Sequence, residues 1–145
     1  MMGIFEREAL LIGEEGVEKL AKKTVAVFGL GGAGSFVCEA LARAGVGKIL
    51  LIDSDTVSES NINRQLFALH STVGRKKTEV AKERILDINP NAEVAVYDIF
   101  YMPDTADSVD LSVCDFVVDA IDTVTAKIEL AVRCDGLGIP CRGCM

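Results

Sequence analysis

Thr24-Val25-Ala26-Val27-Phe28 runs directly into Gly29-Leu30-Gly31-Gly32-Ala33-Gly34, and helical spacing follows at once. A short β-branched and apolar run predicts a buried strand, and the glycine-rich hexapeptide predicts a tight turn that opens a helix. In the helix, Ala33, Phe36, Val37, Ala40, Leu41 and Ala44 recur at intervals of three and four and predict the inward face, with Gly45 as the stop. Lys48–Ile52 then returns as a second strand whose continuous apolar run suits burial on both faces. Strand, glycine turn, helix and strand make a parallel βαβ unit, and this unit decides the fold class.

Outward from that unit the pattern repeats. A polar stretch from Asp53 to Asn63 precedes a helix expected from about Thr78 to Ile88, with Ala81, Ile85 and Ile88 on one face and Asn89-Pro90 closing it. Glu93–Tyr97 and Asp115–Asp119 read as a third and a fourth strand. Asp122–Asp135 reads as a helix with Val124, Ile128 and Ala131 inward, and Gly138-Ile139-Pro140-Cys141 as the start of a fifth strand. Upstream, Phe5–Lys23 predicts one or two short helices interrupted near Gly13 and again at Gly16. The expected architecture is α/β, a Rossmann-like open, mostly parallel sheet with helices on both faces. Residues 1–23 form an N-terminal helical segment, and residues 24–145 a nucleotide-binding domain that the order of motifs leaves incomplete after its fifth strand.

Composition narrows the function classes. Half of the 145 residues are hydrophobic, which excludes disorder, and no apolar run approaches the roughly 18 residues of a membrane span. The N-terminus lacks the basic and apolar regions of a signal peptide, so a soluble cytoplasmic protein with no membrane partner is expected. The net charge of −7 lies wholly beyond residue 90, where 3 basic residues face 10 acidic ones; the first 90 residues hold 12 of each. The five cysteines, Cys38, Cys114, Cys134, Cys141 and Cys144, are an odd number with no secretory signal and are expected as free thiols. Cys38 falls among core positions. Cys141 and Cys144 form a CxxC without the second ligand pair that a structural zinc needs.

The glycine pattern Gly29-x-Gly31-x-x-Gly34 lies between a strand and a helix, where glycines allow close backbone approach to a phosphate and the helix N-terminus offers free N–H groups. Asp53, at the end of the second strand, is placed to accept hydrogen bonds from ribose hydroxyls. An NAD(P)-dependent oxidoreductase fits this much equally well. Arg64 and Lys77 separate the readings, because a triphosphate needs such cations and a pyrophosphate at the glycine turn does not. Asp122, beyond the fourth strand, reads either as a Mg²⁺ ligand or as the N-cap of the following helix.

The runs GLGGAGS, LIDSDTVSESNINRQ, TVGRKK and DAIDT together resemble the ubiquitin-activating-enzyme-like superfamily, the ThiF/MoeB/HesA group of adenylating enzymes. The resemblance implies ATP and Mg²⁺ as cofactors, and activation of a carboxylate as an acyl-adenylate with release of pyrophosphate. It places Gly29, Gly31, Gly32 and Gly34 at the nucleotide and Asp53 on the ribose. It adds Asn61, Arg64 and Lys77 on the triphosphate, with Asp55 and Gln65 among the nucleotide-binding residues, and sets Asp122 at the metal and the reacting centre. It also implies a homodimer in which Arg7 reaches the partner's ATP, so that Arg7, Arg64, Lys77 and Asp122 form the catalytic set. LLIGEEG (10–16), Asn63-Arg64-Gln65 and Asp87-Ile88-Asn89-Pro90 are similar to the branch that closes threonylcarbamoyladenosine at tRNA position 37 into a cyclic form. A tRNA substrate, and a sulfur-transfer or ubiquitin-like sulfur-carrier protein as alternative partner, follow from that resemblance.

Overall fold

The structure is a computed structural model that describes residues 3–143. A 3₁₀ turn, Gly3–Phe5, leads into α1 (Glu6–Ala21), and the body follows as β1 (Thr24–Phe28), α2 (Gly34–Ala44), β2 (Lys48–Ile52), α3 (Lys77–Ile88), β3 (Glu93–Tyr97), β4 (Phe116–Asp119), α4 (Val124–Leu137) and β5 (Cys141–Gly143). The five strands form one sheet in the order β3-β2-β1-β4-β5 with every pairing parallel. The strands fall where the apolar runs predict them, and β1 and β2 have the two-sided burial of central parallel strands.

From β1 the chain steps outward to β2 and β3, then returns to the other side of β1 for β4 and β5. Right-handed crossovers in opposite directions put α2 and α3 on one face and α4 on the other. Two cores result. Val25, Val27, Ile49 and Leu51 meet Cys38 and Ala42 of α2 and Val80, Ala81 and Ile85 of α3. The alternate residues Ala26, Phe28, Leu50 and Ile52 meet Ala126, Leu130 and Cys134 of α4, together with Tyr101, Val109 and Leu111 of the β3–β4 connection. Burial of each Val, Ile, Leu or Phe among them contributes about 1.5–3 kcal/mol. The order of strands reverses between β1 and β4, so the crevice at their carboxyl ends is the switch point where such sheets bind ligands.

Two predicted helix faces are corrected. In α2 the buried residues are Gly34, Ser35, Cys38 and Ala42, while Ala33, Phe36 and Ala40 face outward and Phe36 is 53 % exposed. The predicted Val37 and Leu41 do pack against this core, partly buried, so the inward face is rotated toward Ser35, Cys38 and Ala42 and leaves Phe36 and Ala40 outside. In α4, Ala126, Leu130 and Cys134 are buried and Val124, Ile128 and Ala131 are outside. That helix is apolar around most of its circumference, so two stripes satisfy the same spacing. The chain breaks helical geometry at Gly13 (φ 76°, ψ 165°), as predicted, whereas Gly16 continues the helix. Cys38, Cys114, Cys134 and Cys141 are free thiols, and burial pushes Cys38 up to about 12; Cys144 lies outside the described residues.

Candidate functional site

A cavity of about 450 Å³ opens at the carboxyl ends of β1, β2 and β4. Its lining includes Gly29, Gly31, Gly32, Asp53, Asp55, Asn61, Arg64, Gln65, Lys77 and Asp122. Ten of the predicted site residues are therefore brought to one place although up to 93 positions separate them in sequence. Gly34 and Arg7 are the exceptions. Gly34 packs beneath the turn, and Arg7 stands exposed on α1.

The four glycines divide by what surrounds them. Gly29 has φ +94°, and a Cβ there would lie 2.4 Å from the Ala120 carbonyl oxygen. A Cβ on Gly34 would lie 1.7 Å from the Gly29 carbonyl oxygen. Both are required by the packing of the turn against β4 and on itself. A Cβ on Gly31 would meet nothing nearer than Gln65 Nε2 at 3.5 Å, and one on Gly32 nothing nearer than Arg64 at 3.9 Å. No contact within the protein calls for glycine at those two positions. They leave bare backbone facing the cavity beside the N-terminus of α2, where Ala33 at the N-cap supplies no side-chain oxygen to its N–H groups.

Asp53 is fixed rather than free. Its Oδ2 accepts the Leu30 N–H at 2.7 Å and its Oδ1 the Asp55 N–H at 2.7 Å, so one carboxylate ties the glycine turn to the end of β2. Each oxygen keeps a further lone pair, and the orientation is set before any ligand arrives.

The segment after β2 brings in the cations. The Val57 N–H donates to the Arg75 carbonyl and the Gly74 N–H to the Val57 carbonyl, each at 2.8 Å, which closes residues 57–75 into a loop. Inside it, the Asn61 side chain accepts the Ser58 N–H at 2.9 Å in a capping box, and the Leu66 N–H donates to Ser35 Oγ on α2 at 3.1 Å. Arg64 is thereby held beside the glycine turn, donating from Nη1 to the Ser60 carbonyl and to Asn63 Oδ1, both at 2.9 Å. Lys77 opens α3 and is only 5 % exposed, with its ammonium 3.7 Å from Asp55 Oδ2. A lysine buried to that degree with one exposed carboxylate as its ion-pair partner is poised for an anion in the cavity.

Asp122 stands exposed on the rim, in the turn between β4 and α4. The N-cap of α4 is Thr123, so capping does not account for Asp122.

Sequence reasoning missed one wall. Ile99, Phe100 and Tyr101, just after β3, line the cavity opposite the loop. Tyr101 is buried edge-on against Phe28 with ring centroids 4.7 Å apart, and Arg133 of α4 donates to its hydroxyl and to the Ala106 and Val109 carbonyls. Burial raises the Tyr101 hydroxyl above its ordinary range. The available signal was positional, since residues that follow a parallel strand at its carboxyl end enter the same crevice as the glycine turn.

The family model of the ThiF family matches residues 5–143. The chain is 50 % identical over 140 residues to tRNA threonylcarbamoyladenosine dehydratase of Bacillus subtilis (strain 168), covering 97 % of this chain and 55 % of the relative. It is 33 % identical over 130 residues to ubiquitin-like modifier-activating enzyme 5 of Caenorhabditis elegans, covering 81 % of this chain and 30 % of the relative. Among solved structures, the crystal structure of Escherichia coli tRNA N6-threonylcarbamoyladenosine dehydratase in complex with ATP superposes with a TM-score of 0.91 at 43 % identity, covering 98 % of this chain and 58 % of that one. The chain thus spans little more than half the length of the dehydratases it matches. With the predicted fold, the glycine turn and the cation-bearing loop all in place, the chain belongs to the ThiF family.

Proposed function

We propose that this chain is the nucleotide-binding part of an ATP-dependent adenylating enzyme that acts on threonylcarbamoyladenosine in tRNA. The observation that carries the reading is the meeting of Arg64 and a buried Lys77 with the open backbone of Gly31 and Gly32 across one cavity. A bound ATP would set its ribose on Asp53, its adenine against the Phe100 wall and its phosphates between the glycine turn and the two cations. A substrate carboxylate oxygen then attacks the α-phosphorus, the bond to the bridging oxygen breaks, and pyrophosphate leaves with its charge held by Arg64 and Lys77. The acyl-adenylate is opened by a nucleophile of the same modified nucleoside, which closes the ring and releases AMP.

Among the described residues no group of three or more His, Cys, Asp or Glu is placed to hold a metal ion on its own. Mg²⁺ suits this site because it is bound by one or two carboxylates plus phosphate oxygens, and Asp122 is the carboxylate that would hold it. The metal would supply charge neutralisation along the phosphates. Homodimerisation is part of the proposal, supported by the exposed Leu10 and by Leu11, which is 89 % exposed, beside Arg7 on α1; the pairing would carry Arg7 to the partner's nucleotide. No helix among the described residues is long and apolar enough to cross a membrane, in keeping with a cytoplasmic tRNA-modifying enzyme.

The test is AMP formation from ATP with tRNA carrying threonylcarbamoyladenosine. Formation of AMP with that tRNA is expected. AMP formed only with a carrier protein ending in Gly-Gly overturns the substrate assignment in favour of carrier activation, the reading suggested by the relative named ubiquitin-like modifier-activating enzyme 5. Stabilisation of the chain by NAD and not by ATP with Mg²⁺ overturns the adenylating reading altogether.

A further inference from the structure

The mechanism leaves one buried charged group unused. Asp119 is the last residue of β4 and is 6 % exposed, yet it does not line the cavity. Its Oδ1 accepts the Ile121 N–H at 3.0 Å and is paired with Lys127 Nζ at 3.2 Å, one turn into α4. The carboxylate is buried while the Lys127 side chain keeps 30 % of its surface exposed, and an ion pair of this kind contributes little net stability because the desolvation of the carboxylate offsets the attraction. Its position suggests another purpose.

The turn that follows β4 is pinned along its length. The Ala120 N–H donates to the Phe28 carbonyl at 2.8 Å, and Gly29 fits beneath the Ala120 carbonyl, so one side of the turn rests on the glycine loop. On the other side the Asp119 carboxylate grips Lys127, whose own N–H donates to the Thr123 carbonyl at 3.0 Å. Asp122 sits between these anchors, exposed to the cavity. The Asp119–Lys127 pair therefore joins the end of β4 to the first turn of α4 across the residue that faces the ligand. It also occupies the Asp119 carboxylate with a cation of the protein, so that Asp122 is the acidic group this turn presents to the cavity.

We infer that Lys127 is a positioning residue that, through Asp119, sets the Asp122 carboxylate for the metal-bound nucleotide. This rests on the proposed ATP site. The experiment is calorimetric titration of the chain with ATP, once with Mg²⁺ and once with EDTA, for the unaltered protein and for Lys127→Met, Lys127→Arg, Asp122→Asn and the Lys127→Met/Asp122→Asn double variant. Lys127→Met is expected to weaken binding in Mg²⁺ about tenfold, the usual scale for losing a group that orients a metal ligand, and to leave binding in EDTA within about twofold. Lys127→Arg restores the Mg²⁺ preference, and Lys127→Met adds nothing further once Asp122 is replaced. Equal losses with and without Mg²⁺, additive losses in the double variant, or failure of Lys127→Arg to rescue would overturn the inference and make Lys127 a fold-stabilising residue only. If Lys127→Met does not fold, Asp119→Asn is read by the same criteria. An Asp122→Asn variant that keeps the Mg²⁺ preference overturns the inference while ATP binding stands. No ATP binding by the unaltered chain overturns the ATP site and this inference with it.

Discussion

Replacing Gly34 or Gly31 by alanine adds one methyl group a few residues apart in the same turn, and the structure assigns the two opposite consequences. At Gly34 the new Cβ would lie 1.7 Å from the Gly29 carbonyl oxygen and 2.7 Å from its carbon, against 3.4 Å or more for ordinary contact. The obstacle is backbone on both sides, and Gly29 is itself held by its N–H to the Ile52 carbonyl at 2.9 Å, so neither side yields without disturbing β1 and β2. Overpacking of a tight core position costs about 1–3 kcal/mol and occasionally more. A loss of about 3 kcal/mol lowers Tm by roughly 10 °C in a domain of this size. At Gly31 the nearest atom is Gln65 Nε2 at 3.5 Å, and φ is not in the left-handed region, so Gly31→Ala should leave Tm within about 2 °C. Its methyl projects into the space assigned to phosphate, and ATP affinity should fall at least about tenfold, equivalent to some 1.4 kcal/mol. Thermal unfolding by circular dichroism and titration with ATP·Mg²⁺ read the two effects separately. A Gly34→Ala variant that melts like the parent, or a Gly31→Ala variant that binds ATP with unchanged affinity, would refute these assignments.

Lys77→Met keeps the buried stem and removes the charge, so the fold should persist while ATP affinity drops about tenfold or more, measured by calorimetry; Lys77→Ala should in addition lower Tm. Arg64→Ala should abolish AMP formation and weaken ATP binding far more than AMP binding, because Arg64 is assigned to the phosphates that AMP lacks; equal loss for both nucleotides would contradict that role. Glu39 joins α2 to α3 by accepting from Arg84 Nε at 2.6 Å and Arg84 Nη2 at 3.0 Å, with Arg43 Nε at 2.9 Å, and its carboxyl is held below its usual range chiefly by the Arg84 hydrogen bond. A depressed carboxylate stabilises the fold above its unfolded-state value and loses that contribution as pH falls through the folded-state value. Glu39→Gln should therefore cost about 1 kcal/mol at pH 7 and lose that deficit on acidification below about pH 4, read by urea unfolding at each pH.

Much of the site was legible because its residues belong to local patterns. The glycine turn is recognisable from its flanking strand and helix, and Asp53 and Asp122 from the strands they follow, since the carboxyl ends of parallel strands share one crevice. Arg64 and Lys77 could be named as candidates by charge in a polar stretch. That Lys77 is buried while Arg64 is held by Ser60 and Asn63 depends on how residues 57–75 close on themselves, and no periodicity encodes that closure.

By itself the sequence determined the order of strands and helices, the parallel α/β class and the position of the glycine turn, because buried strands need continuous apolar runs and a tight strand-to-helix turn needs glycine. Only the tertiary structure decided which faces of α2 and α4 point inward, because each helix carries apolar residues on more than one stripe and the packing over the sheet chose Ser35, Cys38 and Ala42 in α2 and Ala126, Leu130 and Cys134 in α4, leaving Phe36, Val124 and Ile128 outside. It alone separated the glycines that the fold requires, Gly29 and Gly34, from those that no contact within the protein requires, Gly31 and Gly32. It also brought the Phe100 wall to the cavity, since contacts between residues distant in the chain arise from packing and leave no local trace.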